Sequence, residues 1–496
     1  MKSILLINPP NSELIRSPGY FLIPLSLAYL AGSSRLVATT NILDLNVAKK
    51  KFFLSGNAGE FSYVEVVEKE IRRLLPDFVG ITCLFSGQIE MVFKIVDAVK
   101  SANPSSTIIL GGMHPTIFHT EILSNCPNVD AVVIGEGENT LKKMLTIESD
   151  NWGSIAGLAF RNQQKQIIVN TKTPFVENLD ELAPPAYDLF NFEDYKLDSS
   201  GWYNPKKLVI GTSAPILTSR SCPFKCSFCG MGLVMGTKFR SRSAEGVFRE
   251  IEYLYRAHNV RYFNIMDDNF TLDKKRILRI CKSIIDSKLD ISFDLPNGTM
   301  TASLDDDVID ALAEAGFAYC FLAIESGSDF IRNKVMNKHL SEETIIRVAN
   351  SFRKYPNIHL AAFFIMGMPE ETKTTLDETY ELIEKLDLDS FKMSVATPFP
   401  GTKLFEQCQH NNLFVNNFKD HSLLWRESAW YQRILNQTPP FFFKPYNMEV
   451  QELEVYARKF EALRHQKHLI ACQKGRQTLS VTQAIDDFRR RNPGSP

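Results

Sequence analysis

Two periods alternate along this chain. Short apolar runs of strand length trade places with amphipathic stretches of helical length, in two separate series. In the first series residues 4–8, 41–45, 78–83, 107–110 and 131–134 read as strands, with residues 64–75 and 91–102 among the helices between them. Continuous apolar strands separated by helices are buried on both faces, which predicts a parallel, doubly wound, Rossmann-like α/β sheet over residues 1–148. Sheets of that kind take ligands at the carboxyl ends of their strands. Those ends are rich in turn residues: Asn8-Pro9-Pro10-Asn11-Ser12; Thr82 followed by Cys83-Leu84-Phe85-Ser86-Gly87; Gly111-Gly112-Met113-His114-Pro115-Thr116; and Gly135-Glu136-Gly137-Glu138.

Residues 149–205 read as a linker holding a hairpin-like stretch at 157–170. The second series follows, with strands expected at 215–219, 262–266, 292–295, 319–324, 360–365 and 391–395. Six β/α units over 206–408 predict a partial (β/α)6 barrel, because eight units need about 250 residues. Residues 409–496 read as a mainly helical C-terminal region. In its helix at 451–472, Leu453, Tyr456, Ala457, Phe460 and Leu463 share one face. Its aromatics Trp425, Trp430, Tyr431 and Phe441 to Phe443 read as core rather than lid. The 496 residues carry a net charge of −1 and are 44% hydrophobic and 23% charged, an ordinary globular balance. That balance argues against nucleic acid as a partner. No apolar run approaches the roughly 18 residues of a membrane span. The start, Met1-Lys2-Ser3, lacks the shape of a signal peptide, so the reading is cytoplasmic.

Nine cysteines are far too few for a disulfide scaffold, and six of them are scattered. The other three stand in Ser221-Cys222-Pro223-Phe224-Lys225-Cys226-Ser227-Phe228-Cys229-Gly230, directly after the first strand of the second series. Three thiolates on one loop hold three irons of a cubic 4Fe–4S cluster and leave the fourth iron open to a substrate or cofactor. Two other readings stand beside this one. A zinc site wants a second cysteine pair or nearby histidines, and the nearest histidine is His258. A CxxC redox site wants a thioredoxin-like context, which is missing.

CxxxCxxC on this loop of a partial barrel resembles the radical S-adenosylmethionine (SAM) superfamily, over roughly residues 205–405. The resemblance implies a 4Fe–4S cluster on Cys222, Cys226 and Cys229, with SAM chelating the open iron. It places Phe228 beside the adenine. It places Met266-Asp267-Asp268-Asn269, and Asp268 within it, where the family holds the SAM amino group. Strict members carry Gly-Gly-Glu there, so the individual contact stays open. Glu325 and Ser326, in Ile324-Glu325-Ser326-Gly327-Ser328, match the ribose and carboxylate contacts. Met366, in Phe364-Ile365-Met366-Gly367-Met368-Pro369-Glu370, matches the segment beneath the adenine.

The region ahead of the barrel resembles the cobalamin-binding subfamily over residues 3–145, through Pro24-Leu25-Ser26-Leu27-Ala28-Tyr29-Leu30-Ala31 and the glycine-rich strand ends. This implies cobalamin beside Ser12, Thr82, Ser86, Gly111, Gly112, His114, Gly135 and Glu136. The chain has no Asp-x-His, so cobalt without a protein histidine of that kind is expected, and His114 reads as a loop hydrogen-bonding residue. A nucleotide binder is the other reading, but Gly135-Glu136-Gly137 lacks a third glycine at the dinucleotide spacing. The runs at 265–271, 295–299 and 323–327 look like the class B, phosphonate C-methylase branch. That likeness implies methyl transfer from methylcobalamin to an unactivated carbon after hydrogen abstraction by a 5′-deoxyadenosyl radical. It also implies a small-molecule substrate and a flavodoxin- or ferredoxin-type reductant. An oxidative cyclase or ring-forming enzyme is the alternative, and an iron–sulfur sensor or electron carrier is the non-enzymatic one.

Overall fold

The computed structural model describes residues 1–10, 22–56, 59–170, 175–195, 212–415, 424–426 and 441–474. Ser12, Trp430 and Tyr431 lie outside them. The chain forms two compact units. One comprises residues 1–195, 233–236 and 420–433, and the other 196–232, 237–419 and 434–496.

In the first unit the apolar runs become β1 (Ser3–Asn8), β2 (Thr39–Asp44), β3 (Phe78–Thr82), β4 (Thr107–Gly111) and β5 (Ala131–Val133). They run parallel in the order β2-β1-β3-β4-β5, the doubly wound arrangement expected. Ile4, Leu6, Phe78, Ile109 and Ala131 pack against Leu27 and Ala31 of the helix Leu25–Ser34 and Met144 of the helix Glu138–Thr146. Fully burying each of the Ile, Leu, Phe and Met side chains among these contributes roughly 1.5–3 kcal/mol. β2 ends at Asp44 because that carboxylate accepts the Asn46 N–H at 3.0 Å and caps the helix Leu45–Leu54. The hairpin foreseen at 157–170 is β6 (Leu158–Arg161) and β7 (Ile167–Val169), which pair antiparallel along β5. It therefore extends the first sheet rather than standing in a free linker, and it covers an edge that would otherwise be open. Tyr195, near the end of this unit, donates its hydroxyl to Asp44 Oδ2 at 2.9 Å.

The second unit contains β8 (Ser213–Ile216), the short antiparallel pair β9 (Ser219–Arg220) and β10 (Arg240–Ser241), β11 (Tyr262–Ile265), β12 (Ser292–Asp294), β13 (Phe317–Glu325), β14 (His359–Met366) and β15 (Ser390–Val395). Six of these form one parallel sheet in consecutive order, β8-β11-β12-β13-β14-β15. Each connection carries helix, as in the amphipathic Ala244–His258 and Lys274–Asp286. This is the winding of a (β/α) barrel stopped at six strands. The helix Val450–Gln473 buries Leu453, Phe460 and Leu463, with the Phe460 ring 6.0 Å from Tyr380. Phe441, Phe442 and Phe443 are buried, as the core reading has them. No helix among the described residues is long and apolar enough to cross a membrane.

Candidate functional site

The cysteine loop leaves β9 and is held by four other segments. Ser221 adopts a left-handed backbone with φ +72°. Its N–H donates to Asp268 Oδ2 at 3.1 Å, and its hydroxyl accepts from Arg240 Nη2 at 2.9 Å. Ser227 N–H donates to Met336 O at 3.1 Å, Leu404 N–H to Ser227 O at 3.0 Å, and Asn337 Nδ2 to Lys225 O at 3.1 Å. Cys229 N–H closes a turn on Cys226 O at 3.1 Å. Phe228 lies half-buried inside that turn. The protein thus absorbs much of the loop's backbone, and the three sulfurs remain as its ligating atoms. Among the described residues no three His, Cys, Asp or Glu side chains converge as ligands of a single ion would. Burial pushes the Cys222 thiol up and Cys226 to about 11.

Two residues face this loop: Lys338, which sequence reasoning passed over, and Asn269, the last residue of the run matched to the SAM amino group. Lys338 is buried, with its Nζ 2.8 Å from Glu325 Oε1. Burial alone would lower its pKa, but attraction to Glu325 and to Cys226 outweighs that and raises it. Asn269 points Nδ2 at Cys222 Sγ, 3.9 Å away, while its buried Oδ1 has no partner among the described residues. The carboxylates beside it brace the fold. Asp267 accepts from Thr218 N–H at 2.6 Å and from the Thr218 and Ser219 hydroxyls, both at 2.5 Å. Asp268 accepts the Ser221 N–H through Oδ2 alone, and burial raises its pKa to about 6. The sequence run includes Asn269 but does not single it out. An orphaned acceptor is visible only once its surroundings exist.

The ends of β13 and β14 are built under constraint. The register shifts between Ala323 and Glu325, and Glu325 itself has φ +72°. A bulge and a left-handed glutamate at one position mark a side chain re-aimed against local preference. The following turn is clamped from behind. Arg332, almost fully buried, donates through Nη1 to Ser326 O and Gly327 O at 2.8 and 3.0 Å. Ser326 Oγ lies 3.2 Å from Thr379 Oγ1 and accepts the Ser328 N–H at 3.2 Å. A Cβ on Gly327 would stand 2.4 Å from Thr379 Cα, so only glycine fits. Met366 is 1% exposed, and its carbonyl accepts the Ala396 N–H at 2.8 Å. Beyond it, the Gly367 and Met368 N–H groups donate to Glu371 Oε2 at 2.7 and 3.1 Å. Burial raises Glu371 to about 7. Deeper in the sheet, Phe321 and Phe363 stack at 4.3 Å, and Tyr319 and His359 at 4.1 Å. That aromatic filling leaves the strands' carboxyl ends as the place for chemistry.

In the first unit the strand order reverses between β1 and β3, the place where doubly wound sheets bind ligands. Gln88 bridges the two loops there, donating Nε2 to Pro10 O at 3.2 Å and accepting the Phe85 N–H at 3.2 Å. Gly112, at φ +111°, lets the β4 loop meet the β3 loop, since its Cβ would lie 2.6 Å from Cys83 O. A Cβ on Gly87 or Gly111 would meet no atom within 4 Å. Leu84 and Phe85 stand exposed, and Ser86 is half-buried. Open glycines, an apolar pair and a hydroxyl suit a broad, largely apolar ligand with polar edges, as a corrin is. His114 is buried, with Nδ1 2.9 Å from Ser86 Oγ and Nε2 3.0 Å from Trp425 O. Burial pulls its pKa down to about 4. Thr82 is buried at the end of β3, and Gly135 donates its N–H to Thr116 Oγ1 at 3.0 Å. Glu136 is buried and accepts the Val176 N–H at 2.8 Å, so that carboxylate oxygen is engaged within the protein.

The radical SAM superfamily pattern matches residues 216–383, and the B12-binding domain pattern matches residues 12–145. An uncharacterized methyltransferase of Pyrococcus horikoshii is 31% identical over 84% of this chain and 84% of its own. The anaerobic magnesium-protoporphyrin IX monomethyl ester cyclase of Rubrivivax gelatinosus is 27% identical over 77% of this chain and 66% of its own. The cytidylyl-2-hydroxyethylphosphonate methyltransferase of Streptomyces wedmorensis is 26% identical over 69% and 68%. Among solved structures, the cobalamin-dependent S-adenosylmethionine radical enzyme OxsB, with aqua-cobalamin and S-adenosylmethionine bound, superposes with a TM-score of 0.69. That match covers 99% of this chain and 75% of OxsB at 17% identity, a likeness of fold.

Proposed function

Because the chain belongs to the cobalamin-dependent radical SAM family, whose cofactors are a 4Fe–4S cluster, SAM and cobalamin, we propose that it methylates an unactivated carbon of a small molecule. The observation that carries this reading is a loop of three thiols, with no fourth cysteine on it, in one chain with a crevice open at Gly87 and Gly111. The 31% identity to a methyltransferase supports the direction of the chemistry. When bound, the cluster with SAM supplies a 5′-deoxyadenosyl radical, and cobalamin supplies the methyl group.

The chain's own residues hold and shield these groups. Cys222, Cys226 and Cys229 bind three irons. Asn269 Oδ1, buried and unpartnered beside Cys222, is suited to accept from the SAM ammonium. Lys338, buried against Glu325, offers its cation to the SAM carboxylate and to the negative charge of the thiolates. Ser326 and the main chain at Met366 and Gly367 shape the nucleoside end. A ferredoxin- or flavodoxin-type protein would supply the electron.

The test is anaerobic turnover of the cluster-reconstituted, cobalamin-loaded protein with SAM, a chemical reductant and candidate small-molecule substrates, read by mass spectrometry. Methylation gives 5′-deoxyadenosine and S-adenosylhomocysteine together. 5′-Deoxyadenosine alone would favour ring closure or oxidation, the reading that the 27% identity to a cyclase supports. SAM left intact would refute both.

A further inference from the structure

The tautomer of His114 has a consequence for the cofactor crevice. A carbonyl oxygen only accepts, so the 3.0 Å contact with Trp425 O places the ring proton on Nε2. The neutral ring then presents a lone pair on Nδ1, and Ser86, 2.9 Å away, must donate its hydroxyl proton to it. Deep burial keeps the imidazole uncharged at neutral pH. Ser86 has one proton to give, and His114 takes it.

We infer that His114 and the Trp425 carbonyl together fix Ser86 Oγ as an acceptor-only group at the mouth of the β1–β3 crevice, where it selects an amide N–H on the rim of the corrin. Three observations converge on this. Ser86 opens the turn Ser86–Gln88, whose Gln88 spans the β1 and β3 loops. Its neighbour Gly87 faces open space where a Cβ would stand. Leu84 and Phe85 beside it are exposed apolar groups, at 41% and 67%, of the kind a flat macrocycle covers. Corrin side chains end in primary amides, which donate through nitrogen. A carboxylate in the same place would bring lone pairs against lone pairs. His114 is then a positioning residue, acting on the ligand only through Ser86. The inference rests on the reading that this crevice holds cobalamin.

The experiment measures dissociation constants by equilibrium dialysis and absorbance on the full-length, cluster-reconstituted protein. The probes are hydroxocobalamin and the cobalamin monocarboxylic acids, in which one side-chain amide at a time is hydrolysed. The wild type should bind at least one of these acids about tenfold more weakly than hydroxocobalamin, the scale of one mismatched buried hydrogen bond. Ser86→Ala should remove that preference to within about twofold, having neither donor nor acceptor. His114→Phe keeps an aromatic ring but frees the Ser86 proton, so it should accept the acid. His114→Gln can still donate to Trp425 O and accept from Ser86, so it should keep the preference and serve as the folded control. Equal binding of every acid by the wild type overturns the inference, as does a preference undiminished in Ser86→Ala. Hydroxocobalamin failing to bind the wild type at all, with iron intact, would instead refute the cobalamin reading of the crevice.

Discussion

Burial works against the three cysteines until iron arrives. Their desolvated thiols hold protons at neutral pH, with Cys226 pushed up to about 11. Loading the cluster must expel those protons, so the apparent affinity for iron and sulfide rises with pH. Iron incorporation during anaerobic reconstitution should therefore fall as the pH is lowered from about 9 to about 7. Cys222→Ala, Cys226→Ala and Cys229→Ala should each lose the cluster's visible absorbance at every pH. Lys338 offers a second residue-scale test. Lys338→Met leaves Glu325 as an uncompensated buried charge and should cost about 3–5 kcal/mol in denaturant unfolding. Adding Glu325→Gln should restore most of that stability without restoring SAM affinity, measured by equilibrium dialysis. A double variant that binds SAM normally would reduce Lys338 to a structural partner. The cysteines were legible because their spacing lies within eight consecutive residues. Lys338 was not, and Asn269 was legible only as one member of the run at 266–269, because their partners reach them only through folding.

At the scale of elements, the turn after β13 shows how a strand end becomes a site. Arg332 holds two of its carbonyls, and Thr379 meets Gly327 so closely that a methyl group would stand 2.5 Å from Glu378 O. Gly327→Ala must push the helix Lys373–Lys385 away, at a cost of about 1–3 kcal/mol. SAM affinity should drop with it. Gly87→Ala, with open space around its Cβ, should leave stability unchanged in the same denaturant titration. The elements themselves followed closely from apolar periodicity, since strands buried on both faces and amphipathic helices are the two patterns it separates best. The bulge at Glu325 and the π-helical turn Phe330–Val335 had no such trace. Both arise from tertiary packing that overrides local preference. The same holds for β6 and β7. Their hairpin shape was visible, but their docking on β5 was a matter of an edge needing a partner.

For the whole molecule, the residues proposed for the two cofactors fall in separate compact units. Occupancy of one site should then not depend on the other. Gly111→Val tests this with little cost to folding. Gly111 ends β4 with no atom within 4 Å of its missing Cβ, and valine suits a strand. Its unfolding free energy should stay within the roughly 0.5 kcal/mol typical of substitutions that disturb no packing. The added isopropyl group fills space that a corrin needs, so cobalt content after reconstitution should collapse while iron content holds. The triple variant Cys222→Ala, Cys226→Ala, Cys229→Ala should give the reverse, cobalt without iron. Metal analysis of the two desalted proteins reads both outcomes at once. Cobalt retained at wild-type level by Gly111→Val would move the corrin away from the β4 end. Iron lost from that same protein would mean that the two sites stand or fall together. Only the joint result, each metal lost alone, fits the proposed placing of cluster and corrin on different units.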